Sequence, residues 1–262
     1  REDSALLRLP LEMNLHPDFH LRTPPLPAPL HLAWGLFTAK GLRFSECVAA
    51  TRLTRLVERE SLPPALEHAT VSELLAATRQ PERLIKLMWL PLCVAALNTP
   101  IEAASATVFA RVMRDALFNR RSDSDFLLPK VDLSSLFPQP AADWLQQQGH
   151  EVLTGTRVKS IAQQDSAWTL EHSAHSDIAA GRFDALIIAT GPHQLDNVAG
   201  VPLALPRADR FEPICTVYLQ FGSGVALPTV MTGQASGCVQ WFFRRSHLGG
   251  PSGLVAGVIS AS

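Results

Sequence analysis

The segment Phe183–Gln194 contains the residue types that best fit a ligand site. Its apolar run, ALII, enters a turn of small residues and a proline. This pattern predicts a buried strand over 184–190 whose carboxyl end opens into a tight turn, the edge at which open α/β sheets bind ligands. An ordinary exit from a strand into a loop would show the same pattern. The candidate binding residues in the turn are Ala189, Thr190, Gly191 and Pro192.

Two polar pairs could also do chemistry, but each has a simpler interpretation. Asp123 and Asp125 have a D-x-D spacing that can chelate Mg²⁺ on a diphosphate, although local ion pairs in a loop explain it better. His172 and His175 have a spacing used in metal sites, but exposed positions fit them better. The sequence contains no zinc signature, P-loop or G-x-S-x-G. We therefore expect no metal, and hydrolase and nucleoside-triphosphatase functions have no support.

A helix, a glycine stop and a strand are predicted across Trp144–Ile161. The segment resembles the phytoene desaturase and flavin amine oxidase superfamily, in which a helix precedes G-x-x-[VI]-x-x-x-x-x-V-x-x-I. The resemblance implies that the backbone of Val158 approaches the adenine end of FAD. It also implies that the turn at Ala189–Pro192 packs close to FAD. On spacing alone, Val158 is explained equally well as a core residue.

Three further strings narrow the resemblance. They are LPLCVAALNTP at Leu90–Pro100, RSDSDFLLPKVDLSSLF at Arg121–Phe137 and FEPICTVY at Phe211–Tyr218. Together they resemble the hydroxysqualene dehydroxylases, in which similar strings occur in the same order. This resemblance implies an FAD-dependent oxidoreductase that acts on an apolar isoprenoid, converting hydroxysqualene to squalene for hopanoid biosynthesis. A carotenoid (phytoene) desaturase or an amine oxidase-like flavoenzyme is the alternative among enzymes.

The sequence departs from that family in one respect. The G-x-G-x-x-G turn, which admits the FAD diphosphate to a helix N-terminus, does not occur. The segment that closes the flavin site after the last strands is also missing, and the chain begins at Arg1 without a methionine. We therefore expect a fragment of a longer flavoenzyme that is inactive alone and does not retain FAD.

A helical pattern extends from Leu30 to Phe118. Capping boxes predict helix starts at Thr70, with Glu73, and at Thr99, with Glu102. Within this block, Ile85–Leu97 is apolar on nearly every face, so it is either buried all round or lines an apolar cavity, with a kink at Pro91. The helices are predicted at 30–39, 44–60, 71–79, 81–97 and 100–118. The candidate substrate contacts are Met88, Trp89, Leu92 and Leu97.

Strand patterns surround the helical block. Residues 5–22 predict a two-stranded hairpin around His16–Pro17–Asp18, and 138–148 predict a helix that ends at Gly149. The segregation of helices from strands along the chain predicts a mixed α/β (α+β) fold, in which a partial FAD/NAD(P)-binding-like sheet carries a mostly helical substrate-binding insertion. Further strands are predicted near 151–162, 167–172, 177–180, 184–190, 212–221, 238–243 and 253–260. We assign 1–137 to the substrate-binding hairpin and helical block, 138–200 to part of the FAD-binding domain, and 201–262 to a β-rich part of the substrate domain.

Composition limits the partners. The 262 residues are 47% hydrophobic and carry a formal charge of −1, so a nucleic acid partner is not expected. Four dispersed cysteines favour a reducing cytoplasm. The longest uncharged stretch, Leu87–Ile101, is too short to span a bilayer. An apolar substrate implies collection from a membrane, and the exposed faces of 30–60 are candidates for peripheral contact at the inner membrane.

A non-catalytic lipid-binding module is the alternative from a different functional class. The missing Gly-rich turn favours such a module, whereas the abrupt ends of the chain favour a piece of an enzyme. The sequence does not predict the catalytic acid, the direction of the redox reaction or the oligomeric state.

Overall fold

A computed structural model describes residues 5–173, 181–195, 197–201, 211–225 and 227–261. The chain divides into two compact units, of which the first combines Arg1–Leu136 with Glu212–Ser262 and the second is Phe137–Phe211. The ten strands of the described residues are β1 (Leu6–Leu9), β2 (Glu12–His16), β3 (Phe19–Arg22), β4 (Phe126–Pro129), β5 (Val158–Gln164), β6 (Ala167–His172), β7 (Ile214–Gln220), β8 (Met231–Gln234), β9 (Trp241–Arg244) and β10 (Leu254–Ser260). The α-helices in the same residues are α1 (Leu30–Phe37), α2 (Phe44–Val57), α3 (Val71–Ala77), α4 (Glu82–Leu84), α5 (Leu90–Leu97), α6 (Ala106–Leu117), α7 (Leu133–Leu136), α8 (Pro138–Gln147) and α9 (Pro192–Leu195).

The first unit is built on a six-stranded sheet in the order β3-β2-β8-β9-β10-β7. Only β2 and β8 pair in parallel, and the other neighbours are antiparallel. Alternate residues of β2 and β3, such as Leu15 and Phe19, are buried against the helices, as half-buried strands require. The mixed α/β fold predicted from the sequence is confirmed.

One core joins this sheet to helices α2, α3, α5 and α6. Phe109, Leu74 and Leu53 are fully buried on the helices, and Trp241 contributes from β9. Each such side chain contributes about 1.5–3 kcal/mol through the apolar area that it removes from water. Among the described residues, no helix is both long and apolar enough to cross a membrane.

The predicted hairpin within 5–22 is confirmed for β2 and β3, which pair around His16–Pro17–Asp18. The prediction that 5–22 contains only two strands is wrong, because Leu6–Leu9 forms a third. This strand pairs with β4, 120 residues later, in a separate two-stranded sheet. The pairing is long-range, so the local pattern does not indicate it.

Of the two predicted capping boxes, the one at Thr70 is confirmed. Its hydroxyl accepts the backbone N–H of Glu73 at 3.2 Å, and the Glu73 carboxylate accepts the N–H of Thr70 at 2.7 Å. The predicted helix start at Thr99 is wrong, because 100–104 form turns and α6 begins only after Ser105. The carbonyls of Ile101 and Ala104 instead accept the N–H groups of Ser72 and Val71, at 2.9 and 2.8 Å. These turns therefore satisfy the free N–H groups that begin α3.

The second unit contains the predicted helix over 138–148, observed as α8, with Gly149 in the left-handed conformation at φ 83°. The strand predicted near 151–162 is observed only from Val158, and the one at 238–243 only from Trp241. The strands predicted at 167–172, 212–221 and 253–260 are confirmed as β6, β7 and β10. The strand predicted at 177–180 lies outside the described residues. The assignment of the chain segments to flavin-binding and substrate-binding roles stays a prediction.

Candidate functional site

Val158 begins a two-stranded hairpin in the second unit. It pairs with His172 at the open end of β5 and β6 and is partly buried. The next stretch of β5 is also tied to a later segment, because Ala199 donates to Lys159 and accepts from Ile161, both at 2.9 Å. A Cβ atom at Gly200, where φ is 80°, would collide with the carbonyl oxygen of Ile161. The approach of this later segment to β5 therefore requires glycine.

The turn at Ala189–Pro192 lies between two points that are hydrogen-bonded to the hairpin. Before the turn, Phe183 exchanges backbone hydrogen bonds of 2.7 and 2.9 Å with Trp168 on β6. After it, Ala199 is bonded to β5. Within the turn, the Gly191 carbonyl accepts the N–H of Gln194 at 2.8 Å, and Ala189, Thr190 and Pro192 are exposed.

The buried strand predicted over 184–190 is wrong. These residues have no strand conformation, and Ile187 is 90% exposed. A strand needs a neighbour to take up its backbone N–H and C=O groups, and the described residues pair none with 184–190. The apolar run is therefore present without the sheet that the sequence pattern led us to expect.

The candidate substrate contacts lie in the first unit, on α5 and the π turn Ile85–Trp89 that precedes Pro91. Trp89 is 2% exposed and donates its indole N–H to the Gln80 side-chain oxygen at 2.9 Å, and Met88 is buried beside it. Leu92 and Leu97 are only partly buried. Ile85–Leu97 is thus buried on one side and exposed on the other, where Leu90, Ala95 and Ala96 lie.

Asn98 joins the end of α5 to the sheet edge and was not among the candidate residues predicted from the sequence. It has a left-handed conformation (φ 47°, ψ 39°), which Asn tolerates better than most residues. Its amide NH₂ donates to the Glu212 carbonyl at 2.8 Å, and its amide oxygen accepts the N–H of Ala261 at 3.0 Å. These two bonds hold the helix end at the point where β7 begins and β10 ends.

Strand β7 has one face that continues the helix-facing side of the sheet. Antiparallel pairing of β7 with β10 places Tyr218 opposite Ala256 and Thr216 opposite Val258. On its other side, β10 pairs with β9, where Ala256 is opposite Phe243 and Val258 is opposite Trp241. Directly opposed residues share a face, and Trp241 belongs to the core. We define the β7 face as Ile214, Thr216 and Tyr218; all three are exposed.

Tyr218 is the only tyrosine in the chain and is 62% exposed on the β7 face. Its phenol is a donor and acceptor, and the residue directly opposite it on β10 is Ala256. From the sequence, this residue was noted only as the end of the string FEPICTVY. The sequence shows that it is the sole tyrosine, but it does not show the strand register that determines which face of the sheet the residue occupies.

Charged groups elsewhere in the first unit make structural contacts. Glu46 is buried and accepts a 2.6 Å bond from Arg83, which also donates to the Gly41 carbonyl. Burial opposes ionisation of Glu46, but the Arg43 backbone N–H and the Arg83 guanidinium outweigh it, so the pKa of this carboxyl is lowered. These contacts tie the start of α2 to α4.

Asp125 of the D-x-D pair forms ion pairs with arginines and does not belong to an acidic cluster. Its carboxylate lies 3.5 Å from Arg8 and 3.8 Å from Arg121. Asp123 accepts the backbone N–H of Arg120 at 3.0 Å. The described residues contain no group of three or more His, Cys, Asp or Glu side chains that could hold a metal. Local ion pairs, the simpler interpretation of this pair, are therefore observed.

Comparisons with known proteins identify the relatives of this sequence. Residues 12–255 match the family described as flavin containing amine oxidoreductase. Hydroxysqualene dehydroxylase from Zymomonas mobilis is 30% identical over 158 residues, and that from Sinorhizobium fredii is 25% identical over 153 residues. Each alignment covers 58% of this chain and 36% of the relative.

Solved structures show the same fold. Putrescine oxidase bound to putrescine superposes with a TM-score of 0.56 at 11% identity, covering 98% of this chain and 60% of that one. A putative protoporphyrinogen oxidase from Exiguobacterium has a TM-score of 0.55 at 13% identity, with 97% and 60% coverage. The chain thus spans about a third of the curated relatives that it matches and 60% of these solved chains.

Proposed function

Because the chain belongs to the flavin containing amine oxidoreductase family, we propose that it forms part of an FAD-dependent oxidoreductase that converts hydroxysqualene to squalene. The observation that carries the proposal is the match to hydroxysqualene dehydroxylases from Zymomonas mobilis and Sinorhizobium fredii, each of which covers 58% of the chain. Hopanoid synthesis would consume the squalene. A carotenoid desaturase and an amine oxidase are the alternatives that the experiment below separates.

The apolar surfaces of the first unit support a long hydrocarbon substrate. Leu92 and Leu97 of α5 are partly accessible, and Ile214 on the β7 face is exposed. A squalene-like chain offers few polar groups, so burial of its carbon surface must supply most of the binding energy. Met88 and Trp89 hold α5 in place from the core side.

The residues of the second unit fit the edge of a flavin site. Ala189 and Thr190 carry small side chains and Gly191 has none, so a flat ring system can approach their backbone. Val158 begins a strand in the same unit. The diphosphate-binding G-x-G-x-x-G does not occur in the chain, so these residues would contact FAD without holding its diphosphate. When bound in its reduced form, FAD supplies a hydride for the carbon that loses its hydroxyl.

Tyr218 is the residue that we assign to the substrate hydroxyl. Its phenol Oη–H can donate a hydrogen bond to the substrate oxygen, and its 62% exposure leaves it accessible to a substrate. In the overall reaction the carbon–oxygen bond breaks, a carbon–hydrogen bond forms from the hydride, and the hydroxyl takes up one proton and leaves as water. Tyr218 stabilises that leaving oxygen.

The experiment uses the protein with its natural flanking sequence. We expect a visible flavin spectrum, with the flavin released on denaturation, and squalene formed from hydroxysqualene under reducing, anaerobic conditions. Phytoene and putrescine, supplied separately under aerobic conditions, should give no product. Product from phytoene or putrescine but not from hydroxysqualene would overturn the substrate assignment, and a colourless protein despite added FAD would favour the lipid-binding module.

The role of Tyr218 has its own test. Tyr218→Phe removes only the phenol oxygen, so we expect kcat to fall about tenfold or more with KM changed little, because the lost bond acts on the leaving oxygen. Thr216→Val, on the same β7 face, is the matched control and should leave kcat unchanged. Equal losses in both variants would show that the face is only structural.

A further inference from the structure

The first unit carries an exposed apolar surface that the proposed reaction does not use. Leu30, Trp34 and Phe37 follow one another at helical spacing along α1 and are all exposed. Phe44 and Val48 continue the surface on α2, and the Phe37 and Phe44 rings lie 5.9 Å apart, centroid to centroid. Trp34 is 59% exposed and Phe44 75%. We call these five residues the aromatic face.

A groove rich in arginine lies beside α2. It has a volume of about 490 Å³, and its lining residues include four arginines and no acidic residue. Its lining residues are Arg52, Arg55, Leu56, Arg59, Ala77, Thr78 and Arg79. Guanidinium groups bind phosphate oxygens through paired, charge-assisted hydrogen bonds, so the groove suits a phosphate.

The two features are continuous along α2. At 3.6 residues per turn, Phe44, Val48, Arg52 and Arg55 fall within an arc of about 80°, so they form one exposed stripe along roughly 17 Å of helix. An apolar, aromatic section therefore passes directly into a cationic one. A surface with aromatic rings at one end and cations at the other can place the rings at the acyl boundary and the cations at the phosphates.

We propose that the aromatic face and the arginine groove dock the protein on an anionic phospholipid bilayer. The charge complementarity of the groove selects this occupant over an uncharged apolar partner. Trp34, Phe37 and Phe44 enter the headgroup region, and Arg52 and Arg55 bind lipid phosphates. The inference goes beyond the proposed reaction, because it depends on this surface alone and holds whatever substrate the protein takes.

The test is sedimentation of the protein, with its natural flanking sequence, with phosphatidylcholine vesicles that contain either no phosphatidylglycerol or about one third. We expect binding to both, tighter with phosphatidylglycerol. Trp34→Ser and Phe44→Ser should each weaken binding about tenfold on either vesicle. The matched control is Trp144→Ser, because Trp144 is 57% exposed on α8 and should leave binding unchanged.

The arginines are tested separately. Arg52→Gln with Arg55→Gln should weaken binding to phosphatidylglycerol vesicles roughly thirtyfold and change binding to pure phosphatidylcholine much less. Arg157→Gln with Lys159→Gln removes the same charge from exposed positions near and on β5 and is the control. Failure of the protein to sediment with either vesicle would overturn the proposal. Equal losses in test and control variants would overturn it too.

Discussion

Asn98 provides the sharpest test of how α5 and β7 are held together. Replacing it with alanine removes the bonds to the Glu212 carbonyl and the Ala261 N–H, at 2.8 and 3.0 Å. Replacing it with glycine removes the same two bonds but keeps a residue that adopts φ 47° without strain. The pair of variants therefore separates the side-chain contribution from the backbone contribution.

The expected magnitudes follow from these contacts. Each lost hydrogen bond costs about 1 kcal/mol, so Asn98→Gly should lower the free energy of unfolding by about 2 kcal/mol. Asn98→Ala should lower it by about 3 kcal/mol, because alanine in the left-handed conformation costs about 1–2 kcal/mol more than in its ordinary one. Both variants should also reduce turnover, since the end of α5 loses its attachment beside the β7 face.

Urea denaturation followed by circular dichroism measures these differences in the protein with its natural flanking sequence. Thr99→Val is a control at the neighbouring residue, where only a 2.8 Å bond to the Leu97 carbonyl is lost. A loss below about 0.5 kcal/mol for Asn98→Ala would refute the role of these two bonds. A glycine variant less stable than the alanine variant would refute the backbone argument.

Three further predictions concern titratable groups. Arg83→Met should cost roughly 2 kcal/mol of stability, because it leaves the buried Glu46 carboxylate without its ion-pair partner. In the wild type, the lowered pKa of Glu46 means that thermal melts should show stability lost as pH falls below 4.5, and Glu46→Gln should reduce that loss. Burial, with the nearby charge of Arg121, lowers the pKa of His31, so the unfolded chain binds a proton on this residue more readily than the folded chain does. The melting temperature should therefore fall as the pH drops below 6.5. No fall in the wild type, or the same fall in His31→Gln, would contradict this prediction. Burial raises the pKa of the Cys93 thiol to about 11. A thiol reagent should therefore label the exposed Cys215 in the native protein and label Cys93 only after unfolding. Rapid labelling of Cys93 in the native protein would disprove its burial.

Elements with local signals were predictable from the sequence. The Thr70–Glu73 capping box and the Gly149 stop depend on residues a few positions apart, and both occur as expected. Thr99 and Glu102 have the same local chemistry but begin no helix, because the carbonyls of 101 and 104 serve α3 instead. A distant segment thus decided between two equally good local signals.

The candidate site was less predictable because it depends on strand pairing. The apolar run over 184–190 reads as a strand, yet a strand forms only where another supplies its hydrogen bonds. Tyr218 faces the helix side of the sheet only through the register of β7 with β10. Asn98 acts through contacts with residues more than 100 positions away. The family motifs, by contrast, are contiguous strings that the sequence displays directly.

A single-turnover experiment asks whether the reduced flavin converts hydroxysqualene to squalene. The protein with its natural flanking sequence is loaded with FAD, reduced without oxygen and mixed with hydroxysqualene, while flavin absorbance and squalene are followed together. We expect one squalene to be formed for each flavin reoxidised. Flavin that stays reduced and forms no squalene, or reoxidation without squalene, would contradict it.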